Sequence, residues 1–285
     1  MARAGVAILG AGQMGQGLAL ALRRSHHPVF LVSRTLHPVI APLRLHRGDR
    51  SDAIRQAGVV LLAVPDAAIA PVASELAREG AVESRHAVLH LSGLLDRGAL
   101  GPLVPSGAAL GSFHPLQTVS DPASAPERFR GAYAGVEGDE RALAAGREMA
   151  NALGMTAVAI PPAAKPAYHA GAAIAANYTV VLAAVAQRLA ASAGMAPDVA
   201  RRLYLPLIRG AAANLEMGPV AALTGPVRRG DAETVAAHLD ALAPGDRELY
   251  LLLAREALRL AREAGLPAES ADRVAQVLGV ATGKG

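Results

Sequence analysis

The sequence predicts an α/β protein in two parts: a doubly wound sheet over residues 1–160, then an all-α domain over 161–285. Three observations carry this. Apolar runs and helical patterns alternate from Gly5 to about residue 160, the order of parallel strands joined by crossover helices. The double proline Pro161-Pro162 then marks a boundary. Beyond it the strand signals stop and only helix-period patterns remain.

The first elements are the most informative. An apolar run, Val6 to Leu9, meets Gly10-Ala11-Gly12-Gln13-Met14-Gly15. An Ala/Leu-rich helical pattern follows to Arg24, and a second apolar run spans Val29 to Val32. This strand, glycine turn, helix, strand order is that of a dinucleotide-binding unit. Gly10 allows the tight turn, Gly12 lets backbone approach a pyrophosphate, and Gly15 lets the helix lie close to the strand. The free N–H groups of Gln13 and its neighbours at the helix start take the negative charge. After Thr35 comes an irregular stretch with Pro38, Pro42 and Gly48, then a short polar helix over 51–56. Val59 to Val64 reads as a buried parallel strand bounded by Gly58 and Pro65, and Asp66 reads as the cap of a helix over 67–78. Strands are expected over 86–91, 108–112, 132–136 and 155–160, with a helix over 139–153.

In the second part, 165–193 reads as one long helix closed by Gly194, and 197–216 as a second. A polar loop over 223–231 separates these from helices over 232–242, 246–264 and 268–278, with Asp231 a helix N-cap. Ala170 to Ala186 carries no charge. At about 17 residues it falls just short of a comfortable membrane span and carries Asn177 and Tyr178, so a buried helix of a soluble protein is expected. The start of the chain superficially resembles a leader peptide, but its apolar stretch holds the glycine turn, Gln13 and Gln16.

Composition narrows the function. Apolar residues make up 52% and charged residues 18%, as in a folded domain. Aromatics are only 3%, with no Trp, which leaves few stacking platforms for single-stranded nucleic acid. Cations exceed acids by two on each side of residue 160, and no basic run concentrates the charge. Neither a nucleic-acid partner nor a membrane is expected. The absence of cysteine removes disulfides, thiolate metal sites and cysteine nucleophiles, and suits a reducing, cytoplasmic setting. No metal-ligand spacing stands out among the nine histidines. Nearly all cations are Arg; the lysines are Lys165 and Lys284.

Ligands of an open α/β sheet bind beyond the carboxyl ends of its strands. At the end of the second strand, NAD enzymes place an acid for the ribose hydroxyls; here stand Ser33-Arg34-Thr35. A guanidinium flanked by hydroxyls suits a 2′-phosphate, so NADP is the expected cofactor. Val64-Pro65 and Ser92-Gly93, small residues and a proline at other strand ends, suit close approach of the nicotinamide ribose. His114 follows another strand end and is expected either to contact substrate or to hydrogen-bond locally. In the helical part, His169, Ala173 and Asn177 lie four residues apart on one stripe. Either they satisfy one another or they line a cleft. In a cleft, His169 is the candidate proton donor, imidazole being the side chain that exchanges protons near neutral pH, and Asn177 orients the substrate. Arg228 or Arg229, beyond Thr224, is a candidate clamp for a substrate carboxylate, or else a solvated arginine of a capped turn.

The chain resembles the Rossmann-like proteins with a DUF2520 C-terminal domain. The residues that carry the resemblance are GAGQMG at 10–15, VPDAAI at 64–69, LSG at 91–93, FHPLQT at 113–118, YHAGAAIAANY at 168–178 and ALTGPVRRGDAETVAAHL at 222–239. That group is similar to the wider 6-phosphogluconate-dehydrogenase-like reductases, among them ketopantoate reductase and pyrroline-5-carboxylate reductase. The resemblance implies an NADP-binding domain, a helical domain through which a homodimer forms, and reduction of a small carboxylated 2-oxo acid, ketopantoate first. Thr224-Gly225-Pro226 resembles the Thr-Ser-Pro substrate loop of pyrroline-5-carboxylate reductase, which keeps an imine substrate open. A non-catalytic NADP-binding protein that reports cofactor state to a partner is the second reading, and an imine reductase the third. The catalytic lysine of ketopantoate reductases falls on His169 and the following asparagine on Ala173, both departures from the pattern.

Overall fold

The computed structural model describes residues 5–34, 38–46 and 49–280. The chain divides into two compact units, 1–177 and 178–285. The division lies beyond the expected 160/161, because the helix that starts at Lys165 packs on the sheet of the first unit through its own buried lysine.

Seven strands form one sheet in the order β2-β1-β3-β4-β5-β6-β7. They are β1 (Val6–Leu9), β2 (Val29–Val32), β3 (Val59–Leu62), β4 (Ala87–His90), β5 (Ala109–Leu116), β6 (Tyr133–Gly138) and β7 (Thr156–Ala159). Strands β2 to β5 run parallel, as expected. Strand β6 pairs antiparallel with β5, Gly111 facing Gly138 and Leu116 facing Tyr133, so the sheet is mixed. The centre of the sheet is near-continuously apolar because helices cover both faces. The first unit's helices are α1 (Gln13–Arg24), α2 (Arg50–Arg55), α3 (Asp66–Arg78), α4 (Ala125–Phe129), α5 (Glu140–Leu153) and α6 (Lys165–Ala173). Two apolar clusters result, one around Ile8, Leu18, Leu61 and Phe113, the other around Leu9, Val60, Ile69 and Leu76.

Two local expectations change. Strand β5 does not stop at Ser112 but runs to Leu116, so His114 is a strand residue held by pairing with Gly135 rather than a loop residue. Asp66 does not cap α3: it is the first helical residue, and its carboxylate accepts from the Ser92 hydroxyl at 2.7 Å. That bond ties the start of α3 to the end of β4.

The expected helix over 165–193 is continuous but changes its winding on the way: α6 passes through a π-helical turn, Ile174–Tyr178, into α7 (Thr179–Ser192). The second unit continues with α8 (Pro197–Leu203), α9 (Leu205–Asn214), α10 (Pro219–Ala222), α11 (Pro226–Arg229), α12 (Ala232–Ala241), α13 (Pro244–Glu263) and α14 (Ala268–Val277). The expected helix over 197–216 breaks at Tyr204, where Pro206 follows in the first turn of α9. Asp231 caps α12 as expected, accepting from the Thr234 amide at 3.1 Å. The core of this unit gathers Val235, Leu239, Leu258, Ala261 and Val274.

The expected burial of the uncharged helix is not found. Pro162–Ser192 is a continuous 31-residue helical stretch with mean hydropathy 1.5, long and apolar enough to cross a membrane by length and composition, and its apolar window is not buried within the chain. Val180 is 70% exposed and Ile174 61%.

Candidate functional site

The glycine turn is built as its spacing required. Gly10 has φ +123°, and a Cβ there would stand 2.1 Å from the Ala63 carbonyl oxygen. A Cβ on Gly15 would stand 2.0 Å from the Gly10 carbonyl oxygen, so α1 crosses hard against the turn. Both glycines are explained by packing inside the chain. Gly12 is not, since a Cβ there would meet open space. Gly12 is also the N-cap of α1 and offers no side-chain bond to the first-turn N–H groups, Gln13 and Met14 among them. An uncapped helix start beside an open glycine is what a pyrophosphate needs. Gln16, buried one turn on, donates to the carbonyls of Ala11 (2.8 Å) and Pro38 (3.1 Å) and accepts from the Ile40 amide (3.0 Å). It pins the irregular stretch after β2 to the turn.

Beside this helix start lies a groove of about 300 Å³, lined by Gly10, Gly12, Ser33, Arg34, Val64 and Pro65 among others. It sits where the chain order reverses across β2-β1-β3, the switch point at which open sheets bind ligands. Arg34 is largely exposed, 3.4 Å from Glu75. Arg50, which sequence reasoning missed, also lines the groove; it bonds Glu75 at 3.0 Å and Glu79 at 2.8 Å. Its signal was hidden because α2 reads only as a short polar helix. Thr35 lies outside the described residues. The donor set of open N–H groups, a serine hydroxyl and two guanidiniums fits a phosphorylated dinucleotide.

Further along the same sheet edge is a second cavity, about 370 Å³, lined by His114, Gln117, Thr118, His169, Asn177 and the alanines of α6 and the π turn. The stripe and the strand end, far apart in sequence, therefore meet. Asn177 is exposed in the π turn, so it lines the cavity without the burial cost that its apolar neighbours implied. Such turns recur at functional sites. His114 Nδ1 lies 2.8 Å from the Tyr168 hydroxyl, and its ring stands edge-on to that of His169 at 5.5 Å between centroids. His169 Nδ1 is buried without a hydrogen-bond partner among the described residues. A Cβ on Gly93 would fall 2.5 Å from that nitrogen and 2.8 Å from His114 Cε1. Gly93 is thus the floor on which the two imidazoles close. Its neighbour Ser92 is committed to Asp66 and accepts from the amides of Leu94 and Leu95.

Under this floor sits a buried polar network that the sequence did not reveal. Lys165, 2% exposed, donates to the Ser112 hydroxyl at 2.8 Å and the Ser92 carbonyl at 3.3 Å. Glu137, 3% exposed, accepts from the Arg97 amide at 2.9 Å and Ser112 at 3.4 Å. Burial pushes the Lys165 amine down and the Glu137 carboxyl up, each opposed by the other's charge. Burial, reinforced by the charges of His169 and Lys165, drives His114 down to about 4, against Asp66. The one available signal was composition: Lys165 is one of two lysines in a chain whose other cations are arginines, and it stands four residues before His169.

In the second unit, Thr224 is exposed, Arg228 donates to the Ala264 carbonyl at 3.1 Å, and Arg229 is exposed at the end of α11. Among the described residues no group of three or more metal-ligating side chains occurs.

The Rossmann-like domain model matches residues 1–115, and that of the domain of unknown function DUF2520 matches 132–257. The chain thus joins a Rossmann-like domain to a DUF2520 domain, the composition that its motifs implied. A solved protein from Thermotoga maritima shares 26% identity over 90% of this chain and 98% of its own, with a TM-score of 0.66. The pyrroline carboxylate reductase of Plasmodium falciparum, solved with NADP bound, shares 14% identity over 96% of this chain and 99% of its own, TM-score 0.60. An imine reductase from Pseudomonas sp. shares 18% over 98% and 95%, TM-score 0.60. At these identities the last two likenesses show the fold. No curated protein matches the chain in sequence.

Proposed function

We propose that this chain is an NADP-dependent oxidoreductase that reduces a small carbonyl or imine substrate in the cavity between His114 and His169. One observation carries the reading: an open glycine turn at an uncapped helix start and a cavity walled by two imidazoles share one edge of the same sheet. When bound, NADPH supplies a hydride. Gly12, Gln13, Met14 and Gly15 offer backbone N–H groups to its pyrophosphate, and Ser33, Arg34 and Arg50 offer donors to the 2′-phosphate. His169 gives a proton to the substrate oxygen or nitrogen, and Asn177 orients the substrate.

A carboxylated 2-oxo acid, ketopantoate first, is the leading substrate. A cyclic imine is the second reading, favoured by the fold shared with a pyrroline carboxylate reductase and an imine reductase. The second unit exposes large apolar side chains, Val180, Val181 and Leu207 among them, which suit a second copy of the chain, and we propose a homodimer through that unit. Incubating the protein with NADPH and a panel of 2-oxo acids and cyclic imines, while following loss of reduced-cofactor absorbance, tests the function. Turnover that His169→Ala abolishes supports it. Stabilisation by NADPH with no turnover on the panel points instead to a non-catalytic NADP sensor.

A further inference from the structure

His114 is enclosed on three sides. The Tyr168 hydroxyl lies 2.8 Å from Nδ1, with the two rings edge-on at 5.6 Å. The His169 ring stands edge-on on another side, and the bare Cα of Gly93 closes the third. Nε2 has no hydrogen-bond partner among the described residues, and the side chain lines the cavity with Gln117, Thr118 and Asn177.

The protonation states follow from chemistry. Burial raises the Tyr168 hydroxyl to about 12, against a smaller effect from the Gly135 backbone, so at neutral pH the phenol keeps its proton and has it to donate. A neutral imidazole that accepts at Nδ1 carries its one proton on Nε2. The charged and titratable groups that bear on it are His169 and Lys165 from α6, Asp66 at the start of α3, and Tyr168 itself. Of these only Asp66 favours the cation, and it is outweighed by burial and by the other two charges.

We propose that Tyr168 is a positioning residue that fixes His114 as the neutral Nε2–H tautomer, aiming a non-transferring hydrogen bond at the cavity. The two histidines then divide the work. His114 meets the negative charge that grows on the substrate oxygen or nitrogen as its carbon is reduced, and His169 delivers the proton that neutralises it. A neutral donor keeps its strength across the pH range in which an ordinary imidazole becomes a cation. The division of roles rests on the oxidoreductase reading above; the tautomer does not.

The test therefore reads the ring and not turnover. Long-range ¹⁵N–¹H correlation spectra of uniformly ¹⁵N-labelled protein, with His114→Gln to assign the signals, give the protonation of each ring nitrogen. The expected wild-type pattern is protonated Nε2 and bare Nδ1, unchanged from pH 8 to pH 5. In Tyr168→Phe the ring becomes a mixture of tautomers and titrates at higher pH, and kcat on any substrate turned over falls about tenfold with KM within twofold. A wild-type ring protonated at Nδ1, a cation at pH 7, or ring signals unmoved in Tyr168→Phe overturns the proposal. Should Tyr168→Phe fail to fold, the wild-type spectrum decides. A bare Nδ1 in a protein that turns nothing over keeps the tautomer and removes only the oxidoreductase reading.

Discussion

Lys165 Nζ reaches the Ser112 hydroxyl at 2.8 Å, and both groups are almost wholly buried. This bond fastens α6 to β5 directly beneath the strand residue His114. Replacing the lysine removes two hydrogen bonds and strands the raised Glu137 carboxyl without its nearest compensating charge. Lys165→Met is expected to lower unfolding free energy by about 2–4 kcal/mol in urea denaturation. With Glu137→Gln also present, the loss should be smaller than the sum of the two single losses, because each group penalises the other's removal. Additive losses would show that the two charges are not coupled.

Stability should depend on pH through His114. Its folded pKa is depressed to about 4 from an ordinary value of 6.5, so between those values the unfolded chain binds more protons and stability rises with pH. The contribution is full above pH 6.5 and is lost toward pH 4, by about 3 kcal/mol at most. His86 and His90, lowered mainly by burial, act in the same direction. Glu137, raised, acts oppositely. Denaturation midpoints compared at pH 7 and pH 4.5 should fall steeply in wild type and less steeply in His114→Gln. Equal slopes would remove His114 from the account.

Gly93→Ala tests the floor of the cavity. A methyl group 2.5 Å from His169 Nδ1 and 2.8 Å from His114 Cε1 must displace both rings. A cost of about 1–3 kcal/mol in stability is expected, typical of overpacking, with at least tenfold lower kcat on the substrate found. Unchanged kcat would place the chemistry elsewhere.

Arg34→Ala should raise KM for NADPH about tenfold while leaving KM for NADH within twofold, since only the former carries a 2′-phosphate. Arg50→Ala, which also frees Glu75 and Glu79, should weaken NADPH further by leaving two carboxylates beside the groove. Steady-state kinetics with both cofactors decides. Parallel losses for NADPH and NADH would mean that neither arginine reads the phosphate.

The exposed apolar helix calls for a partner. Val180→Glu is expected to shift the mass measured by light scattering from two copies to one, without loss of the sheet domain's helix and strand signal in circular dichroism. A monomeric wild-type protein that sediments with lipid vesicles would replace the second copy with a membrane surface.

Much of this protein was legible in its sequence. The glycine turn, the alternation to residue 160 and the helical remainder are local patterns, and local sterics and periodicity suffice to set them: a positive φ at Gly10, buried four-residue strands, a capping Asp231. That Ser33 and Arg34 line a groove was legible for the same reason, because residues just after a strand end stand beside the space beyond it. What the tertiary structure decided was contact between segments distant in the chain. That Lys165 lies under Ser112, that Tyr168 reaches His114 across 54 residues of sequence, and that Gly93 is bare because two imidazoles close on it are facts of packing. Periodicity gives the stripe on which His169, Ala173 and Asn177 stand but not the surface it meets. The same limit explains the apolar helix: its composition predicted burial, yet burial needs a facing layer, and among the described residues its apolar window is not buried.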